Sequence, residues 1–97
     1  MLFYVSIKVT IPPETDPQTL EALKKQEVAH AAELEARGKW LHVWRVVGKW
    51  ANVSIFDVSD TTELHAILTG LPLYPFMDIE VTALCEMHPP PVKAVQA

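Results

Sequence analysis

The sequence is poor in the residues on which several common functions depend. Its 97 residues include only 8 Lys and Arg against 12 Asp and Glu, which leaves a formal charge of −4. Binding to a phosphate backbone requires a concentrated basic surface, so nucleic acid is a poor candidate for a partner. The single cysteine, Cys85, excludes an intrachain disulfide. The composition therefore favours proteins or small molecules as partners over nucleic acid.

Long apolar runs and ligand clusters are scarce as well. No apolar run approaches the ~20 residues of a membrane-spanning helix, and the N-terminal stretch MLFYVSIKVT lacks the basic start and the length of a signal peptide. We therefore expect a cytoplasmic protein that does not bind membranes. The four histidines, at positions 30, 42, 65 and 88, form no close ligand pair, and no glycine-rich phosphate loop is present. We expect neither a metal nor any other cofactor.

What the chain does contain is enough apolar sequence for one core. Hydrophobic residues make up 49% of the chain, which suits a single core. A length of 97 residues is too short for two domains. We place the domain at residues 1–87. The last ten residues, 88–97, are rich in proline and form a predicted C-terminal tail.

Alternation and helix-end signals divide the domain into six elements. Residues 2–10 alternate as a strand, and Asp16, Pro17 and Gly38 delimit a helix over residues 17–37. Two further strands, residues 40–47 and 50–58, are joined by Gly48 and Lys49. Asp60 and Glu63 have the spacing of a capping box for a second helix that Gly70 ends. A last strand is predicted over residues 78–86.

The resulting order is βαββαβ, which predicts an α+β ferredoxin-like domain with both helices on one face of a four-stranded antiparallel sheet. We expect the helix-covered face to carry Phe3, Val5, Ile7, Leu41, Val43, Val53, Ile55, Ile79, Val81 and Ala83. The opposite face would carry Trp40, His42, Trp44, Trp50 and Phe56. Because these aromatics would form an exposed apolar patch, we expect at least a homodimer with sheets face to face.

Two charged residues interrupt the apolar pattern. Arg45 shares the alternation of the covered face, and Glu27 lies on the buried stripe of the first helix. A buried ion pair, or a return of both groups to water, explains this as well as a functional site does. The functional alternative is a pocket for an acidic small molecule. Arg45 would hold the ligand's carboxylate, and burial would raise the pKa of Glu27 until it becomes a usable base.

The remaining candidates are polar residues near this pair. Lys24 borders the same helical stripe one turn before Glu27, and His42 lies between two tryptophans on the opposite face. Asn52 and Ser54, expected on that opposite face, could donate to a developing oxyanion. Packing between subunits explains His42, Asn52 and Ser54 equally well.

Several longer strings resemble the muconolactone delta-isomerase family. They are MLFYVSIKV, the KxxE of residues 24–27, GKWLHVWRVVGKWANVSIFDV and ELHAILTGLPLYPFMDIEV. The resemblance runs from Met1 to about Cys85. It implies a dimeric α+β barrel, assembled further into a decamer, that needs no cofactor. It also implies isomerisation of (S)-muconolactone to 3-oxoadipate enol-lactone in bacterial catechol degradation.

Combined with the pocket, this resemblance suggests roles for the candidates. Glu27 would move the proton, with Lys24 as the first candidate for the oxyanion donor and His42, Asn52 and Ser54 behind it. Arg45 would bind the substrate's carboxylate. The alternatives are a 5-chloromuconolactone dehalogenase, or a cofactor-free monooxygenase or binding module of the dimeric α+β barrel class.

Overall fold

The structure, a computed structural model, describes residues 1–88 and follows the predicted element order. Its elements are β1 (Leu2–Val9), α1 (Pro17–Ala36), β2 (Trp40–Arg45), β3 (Ala51–Asp57), α2 (Thr61–Thr69), a 3₁₀ turn (Tyr74–Phe76) and β4 (Met77–Ala83). The βαββαβ order is therefore confirmed. The predicted tail, from residue 89 onward, lies outside the described residues.

The strands form one antiparallel sheet in the order β2-β3-β1-β4. Both helices lie on one face, as right-handed crossovers require. The core between them includes Phe3, Val5 and Ile7 from the sheet together with Leu34 of α1 and Leu64 and Leu68 of α2. The predicted α+β ferredoxin-like fold is confirmed.

Side-chain caps define both helix starts as predicted. Asp16 Oδ2 accepts the Thr19 N–H at 3.0 Å, and Asp60 Oδ1 accepts the Glu63 N–H at 2.8 Å. Glu63 completes the capping box, because its Oε1 accepts the Ser59 N–H at 2.6 Å. Lys39 Nζ lies 2.8 Å from Glu63 Oε2, and together these hydrogen bonds lower the pKa of Glu63 to about 2. The start of β2 is thereby linked to the start of α2.

Five strand boundaries are tighter than predicted, by one to three residues each. β2 ends at Arg45 and β3 begins at Ala51, so the hairpin loop covers residues 46–50 and not Gly48 and Lys49 alone. The Val46 N–H donates to the Ala51 carbonyl at 2.9 Å, and Gly48 adopts a φ of 78° that side-chain-bearing residues rarely take. β4 ends at Ala83, three residues early.

The assignment of β3 to the two sheet faces was wrong. Val5 pairs with Ser54 and Phe3 with Phe56, so Asn52, Ser54 and Phe56 lie on the helix-covered face. Val53 and Ile55 lie on the other face, opposite to the prediction. The cause is that β3 carries apolar residues on both sides, so hydrophobicity alone does not choose between them. Pairing with β1, whose faces differ clearly, decides it.

A bulge in β2 also changes which residues of this strand lie on each face of the sheet. The pairing shifts between Trp40 and His42, so Trp40, Val43 and Arg45 all lie toward the helices. Trp40 is 5% exposed and stacks on Phe56, whereas it was expected on the open face. Leu41 occupies the bulge and is exposed, although it was expected to be covered. Arg45 keeps its predicted face because the bulge adjusts the alternation before it.

The second sheet face has no cover within the described chain. It carries Tyr4, His42, Trp44, Val53 and Ile55, and His42 stacks on Trp44 with ring centroids 5.4 Å apart. Trp44 is 56% exposed. Neither helix of the described chain is long and apolar enough to cross a membrane.

Candidate active site

A cavity of about 610 Å³ opens between α1 and the β2–β3 half of the sheet. Its volume lies in the range of small-molecule sites. The polar side chains on its wall are Lys24, Glu27, Glu35, Arg45 and Asn52, and the apolar ones are Val9, Val28, Ala31, Trp40, Val43, Trp50, Ala51, Leu73 and Met77. Mostly apolar walls with a few ionic groups suit a small organic acid.

The cavity exists because α1 packs only partly against the sheet. Leu34 is the one buried residue of this helix, while Leu20, Leu23 and Ala31, which lie on the same side of the helix as Glu27, are only half-buried. The short link from Gly38 to Trp40 holds the C-terminal end of α1 close to β2, with the Lys39 N–H donating to the Leu34 carbonyl at 2.9 Å. Along its middle turns, α1 leaves the space that Glu27 enters.

Glu27 is half-buried and held in one orientation by a backbone donor. Its Oε1 accepts the Leu73 N–H at 2.9 Å, from the segment just before the 3₁₀ turn. Burial raises the pKa of Glu27 above its ordinary value of 4.5, partly opposed by the Leu73 hydrogen bond and by nearby His30. One carboxylate oxygen is thus fixed to the backbone, and Glu27 is a stronger base than an exposed glutamate.

Two cationic side chains flank the cavity on the side of the β2–β3 loop. Arg45 lines the wall, and its Nη1 donates weakly to the Lys49 carbonyl at 3.4 Å. The Lys24 ammonium lies 5.3 Å from the centre of the Trp50 ring and 3.5 Å from Glu21 Oε1. Neither cation forms an ion pair with Glu27, so the buried ion pair considered from the sequence is not formed. Arg45 is exposed and has no carboxylate partner among the described residues, whereas Lys24 is paired with Glu21.

Asn52 and Ser54 form a unit on the covered face. Ser54 is fully buried, and its hydroxyl donates to Asn52 Oδ1 at 2.8 Å. With its oxygen engaged, the Asn52 amide keeps its N–H₂ group for other partners. Asn52 lines the cavity and pairs with Arg45 across the strands. The structure therefore brings Asn52 to the site and places Ser54 behind it.

His42 is the predicted site residue that the structure does not bring to the cavity. It projects from the uncovered sheet face, on the far side of the sheet from Glu27. Of the six candidates, Lys24, Glu27, Arg45 and Asn52 line one cavity, Ser54 supports it, and His42 lies outside it.

Sequence reasoning missed several contributors to this site. The Leu73 N–H was missed because backbone donors have no sequence signature. Trp40 and Trp50 were missed because they were placed on the wrong sheet face. The bulge that redirects Trp40 lies inside a continuous strand pattern, where only the pairing register reveals it.

Comparison with known proteins identifies the family of the chain. The family model for muconolactone delta-isomerase matches residues 1–90. The chain belongs to the muconolactone delta-isomerase family. It is 48% identical to muconolactone delta-isomerase 1 of Acinetobacter lwoffii over 93 residues, covering 96% of each chain. Identity to the muconolactone delta-isomerase of Pseudomonas aeruginosa is 46% over 94 residues, covering 97% of each.

A solved structure supports the same family membership. The crystal structure of a muconolactone isomerase superimposes with a TM-score of 0.86 at 44% identity, covering 95% of both chains. The predicted membership of the muconolactone delta-isomerase family is confirmed, and the family favours an isomerase over the dehalogenase, the monooxygenase and the binding module.

Proposed function

We propose that the protein isomerises (S)-muconolactone to 3-oxoadipate enol-lactone, with Glu27 carrying the proton. The observation that carries the proposal is a half-buried carboxylate of raised pKa in an apolar cavity flanked by Arg45 and Lys24, neither of which pairs with Glu27. All lining residues fall between positions 9 and 77, so we assign the activity to the predicted domain at residues 1–87.

The substrate's chemistry matches this arrangement. Muconolactone carries a carboxylate on a side arm and a lactone carbonyl conjugated to a double bond, which acidifies the hydrogen on C4. Arg45 would bind the carboxylate, and Lys24 adds positive charge on the same side of the cavity. The Asn52 amide, oriented by Ser54, would donate to the bound carboxylate, because Asn52 and Arg45 are directly paired.

The reaction is a 1,3-proton shift that needs one base. Glu27 takes the C4 proton. The electrons of that C–H bond enter the conjugated system, which becomes a dienolate with its negative charge on the lactone carbonyl oxygen. The carboxylic acid so formed returns the proton to C2, and the double bond moves to C3–C4. Atoms and charge balance without a cofactor. The Leu73 hydrogen bond would keep Glu27 over the ring during both steps.

Replacement of Glu27 tests the proton-transfer role. Glu27→Gln keeps the side-chain shape and an acceptor for Leu73 but removes the base, so we expect kcat to fall by about 10³-fold. The assay follows conversion of muconolactone spectrophotometrically. Glu33→Gln, the same charge change on an exposed position of α1, serves as the control and should stay within twofold of wild type. Near wild-type turnover by Glu27→Gln would remove Glu27 from the mechanism.

Replacement of Arg45 tests the carboxylate site. Arg45→Lys keeps the charge and loses the planar fork, so we expect KM to rise about tenfold with little change in kcat. Arg37→Lys is the matched control, because Arg37 caps α1 and lies outside the cavity. An unchanged KM for Arg45→Lys would place the substrate carboxylate elsewhere.

We also propose that the uncovered sheet face binds a second copy of the chain. Its support is the row of apolar side chains there, including Trp44, together with the family resemblance. His42 would then belong to the dimer surface. Assembly into a decamer and a cytoplasmic location stay predictions.

Trp44→Glu should dissociate this dimer, because a charge would be buried between the sheets. Light scattering of the purified variant measures the mass directly. Val47→Glu puts the same charge in the β2–β3 loop, where Val47 is 93% exposed, and should keep the wild-type mass. A Trp44→Glu protein with wild-type mass would contradict the proposal; the wild-type mass itself tests the decamer.

A further inference from the structure

Lys24 is a cation of the cavity wall whose ammonium group contacts two different partners. Its Nζ lies 3.5 Å from Glu21 Oε1 and 5.3 Å from the centre of the Trp50 ring. Lys24 and Trp50 both line the cavity, whereas Glu21 lies outside it. One partner therefore holds the ammonium on the solvent side of α1, and the other holds it at the cavity.

Both contacts are weak enough for a bound ligand to change the balance between them. The Lys24 and Glu21 side chains are 43% and 66% exposed, and an exposed pair of this kind contributes little to stability. A cation over an indole face is also held only weakly where solvent has access. Because the lysine side chain is long and flexible, its ammonium can leave Glu21 for an anion in the cavity while it stays near Trp50.

The backbone around Trp50 connects it with Arg45. The Val9 N–H donates to the Trp50 carbonyl at 2.9 Å, which fixes Trp50 to the end of β1. Arg45 Nη1 donates at 3.4 Å to the Lys49 carbonyl, which belongs to the peptide group that joins Lys49 to Trp50. Arg45 therefore lies at the peptide group of Trp50 and Lys24 lies over its ring. A carboxylate bound by Arg45 is at the end of the cavity where Lys24 is held.

This position of Lys24 suits binding of a carboxylate better than stabilisation of the dienolate. The nearby charge that lowers the pKa of Glu27 is that of His30 and not that of Lys24. An ammonium close enough to the reacting ring to stabilise its anion would also lower the pKa of Glu27 and weaken the base. Over Trp50, Lys24 adds its charge at the Arg45 end of the cavity.

We propose that Trp50 is a positioning residue whose ring holds the Lys24 ammonium at the cavity wall, where Lys24 leaves Glu21 and joins Arg45 on the substrate's carboxylate. The inference rests on the isomerase function, because it takes muconolactone with its carboxylate at the Arg45 end. Two cations on one carboxylate would select lactones with an ionised side arm over lactones with a neutral one.

Comparison of muconolactone with its methyl ester separates recognition of charge from packing. The ester keeps the ring and has an uncharged side arm, so wild-type kcat/KM should be higher for the acid. Trp50→Leu keeps an apolar side chain and loses the contact with the cation. We expect it to lower the acid-to-ester ratio of kcat/KM about threefold. Lys24→Met should lower this ratio about tenfold. A wild-type ratio in a folded Trp50→Leu protein would refute the inference.

Double variants show whether Trp50 and Glu21 act through Lys24. In a Lys24→Met background, Trp50→Leu should leave the acid-to-ester ratio unchanged. Glu21→Gln alone removes the competing carboxylate and should raise the ratio about twofold, but it should have no effect once Lys24 is methionine. Glu33→Gln makes the same charge change at an exposed position of α1 outside the cavity and should leave the ratio unchanged. An effect of Trp50→Leu that persists without Lys24 would contradict the positioning role.

The outcomes separate this inference from the proposed function. Wild-type protein that does not convert muconolactone would refute both. Conversion of muconolactone with a ratio that neither Trp50→Leu nor Lys24→Met changes would refute the Trp50 role alone. If circular dichroism shows Trp50→Leu to be unfolded, Trp50→Phe replaces it. Because phenylalanine binds a cation less well than indole does, the ratio should then fall about twofold, and an unchanged ratio would refute the inference.

Discussion

The site depends on one carboxylate held where water is scarce. Glu27 enters an apolar cavity, and a single backbone N–H, from Leu73, holds one of its oxygens. Burial outweighs that hydrogen bond and the nearby His30, so the pKa of Glu27 is raised. A glutamate in water is too weak a base for a carbon acid, and one in a fully satisfied ion pair is weaker still. Partial burial with one neutral donor lies between these extremes.

The fold provides this environment by leaving α1 incompletely packed. The helix is held to β2 at its C-terminal end and leaves a gap along its middle turns, lined by Glu27, Val28 and Ala31. β2 supplies the opposite wall. Its bulge allows Trp40 to be buried in the core while Arg45 still faces the cavity five residues later. One irregularity in one strand thus connects the packing of the core with the placement of a binding group.

Much of this architecture was predictable from local chemistry. The capping residues Asp16 and Asp60 and the strand alternations set the element order, because these signals act over a few residues. Glu27 and Arg45 stood out as charges within apolar patterns. A charge that breaks a pattern points to a site, since burying it is costly unless something compensates.

The remainder depended on contacts between distant residues. β3 has apolar side chains on both faces, so its orientation follows from pairing with β1. The β2 bulge and the Leu73 donor likewise come from tertiary packing. Asn52 and Trp40 reached the site through these non-local constraints, and Asn52 was placed in the right group of residues for the wrong geometric reason.

Burial of Glu27 makes it a stronger base and, at neutral pH, lowers the free energy of unfolding of the protein. A carboxyl whose pKa is raised on folding stabilises the protein when protonated, below about pH 4.5, and that contribution is lost as the pH rises through the folded-state value. The most direct test is the free energy of unfolding of wild type and Glu27→Gln between pH 4 and pH 8. We expect the variant to be more stable than wild type at neutral pH, with a difference in free energy of unfolding that shrinks toward pH 4. A variant less stable than wild type at neutral pH, or a difference independent of pH, would contradict it.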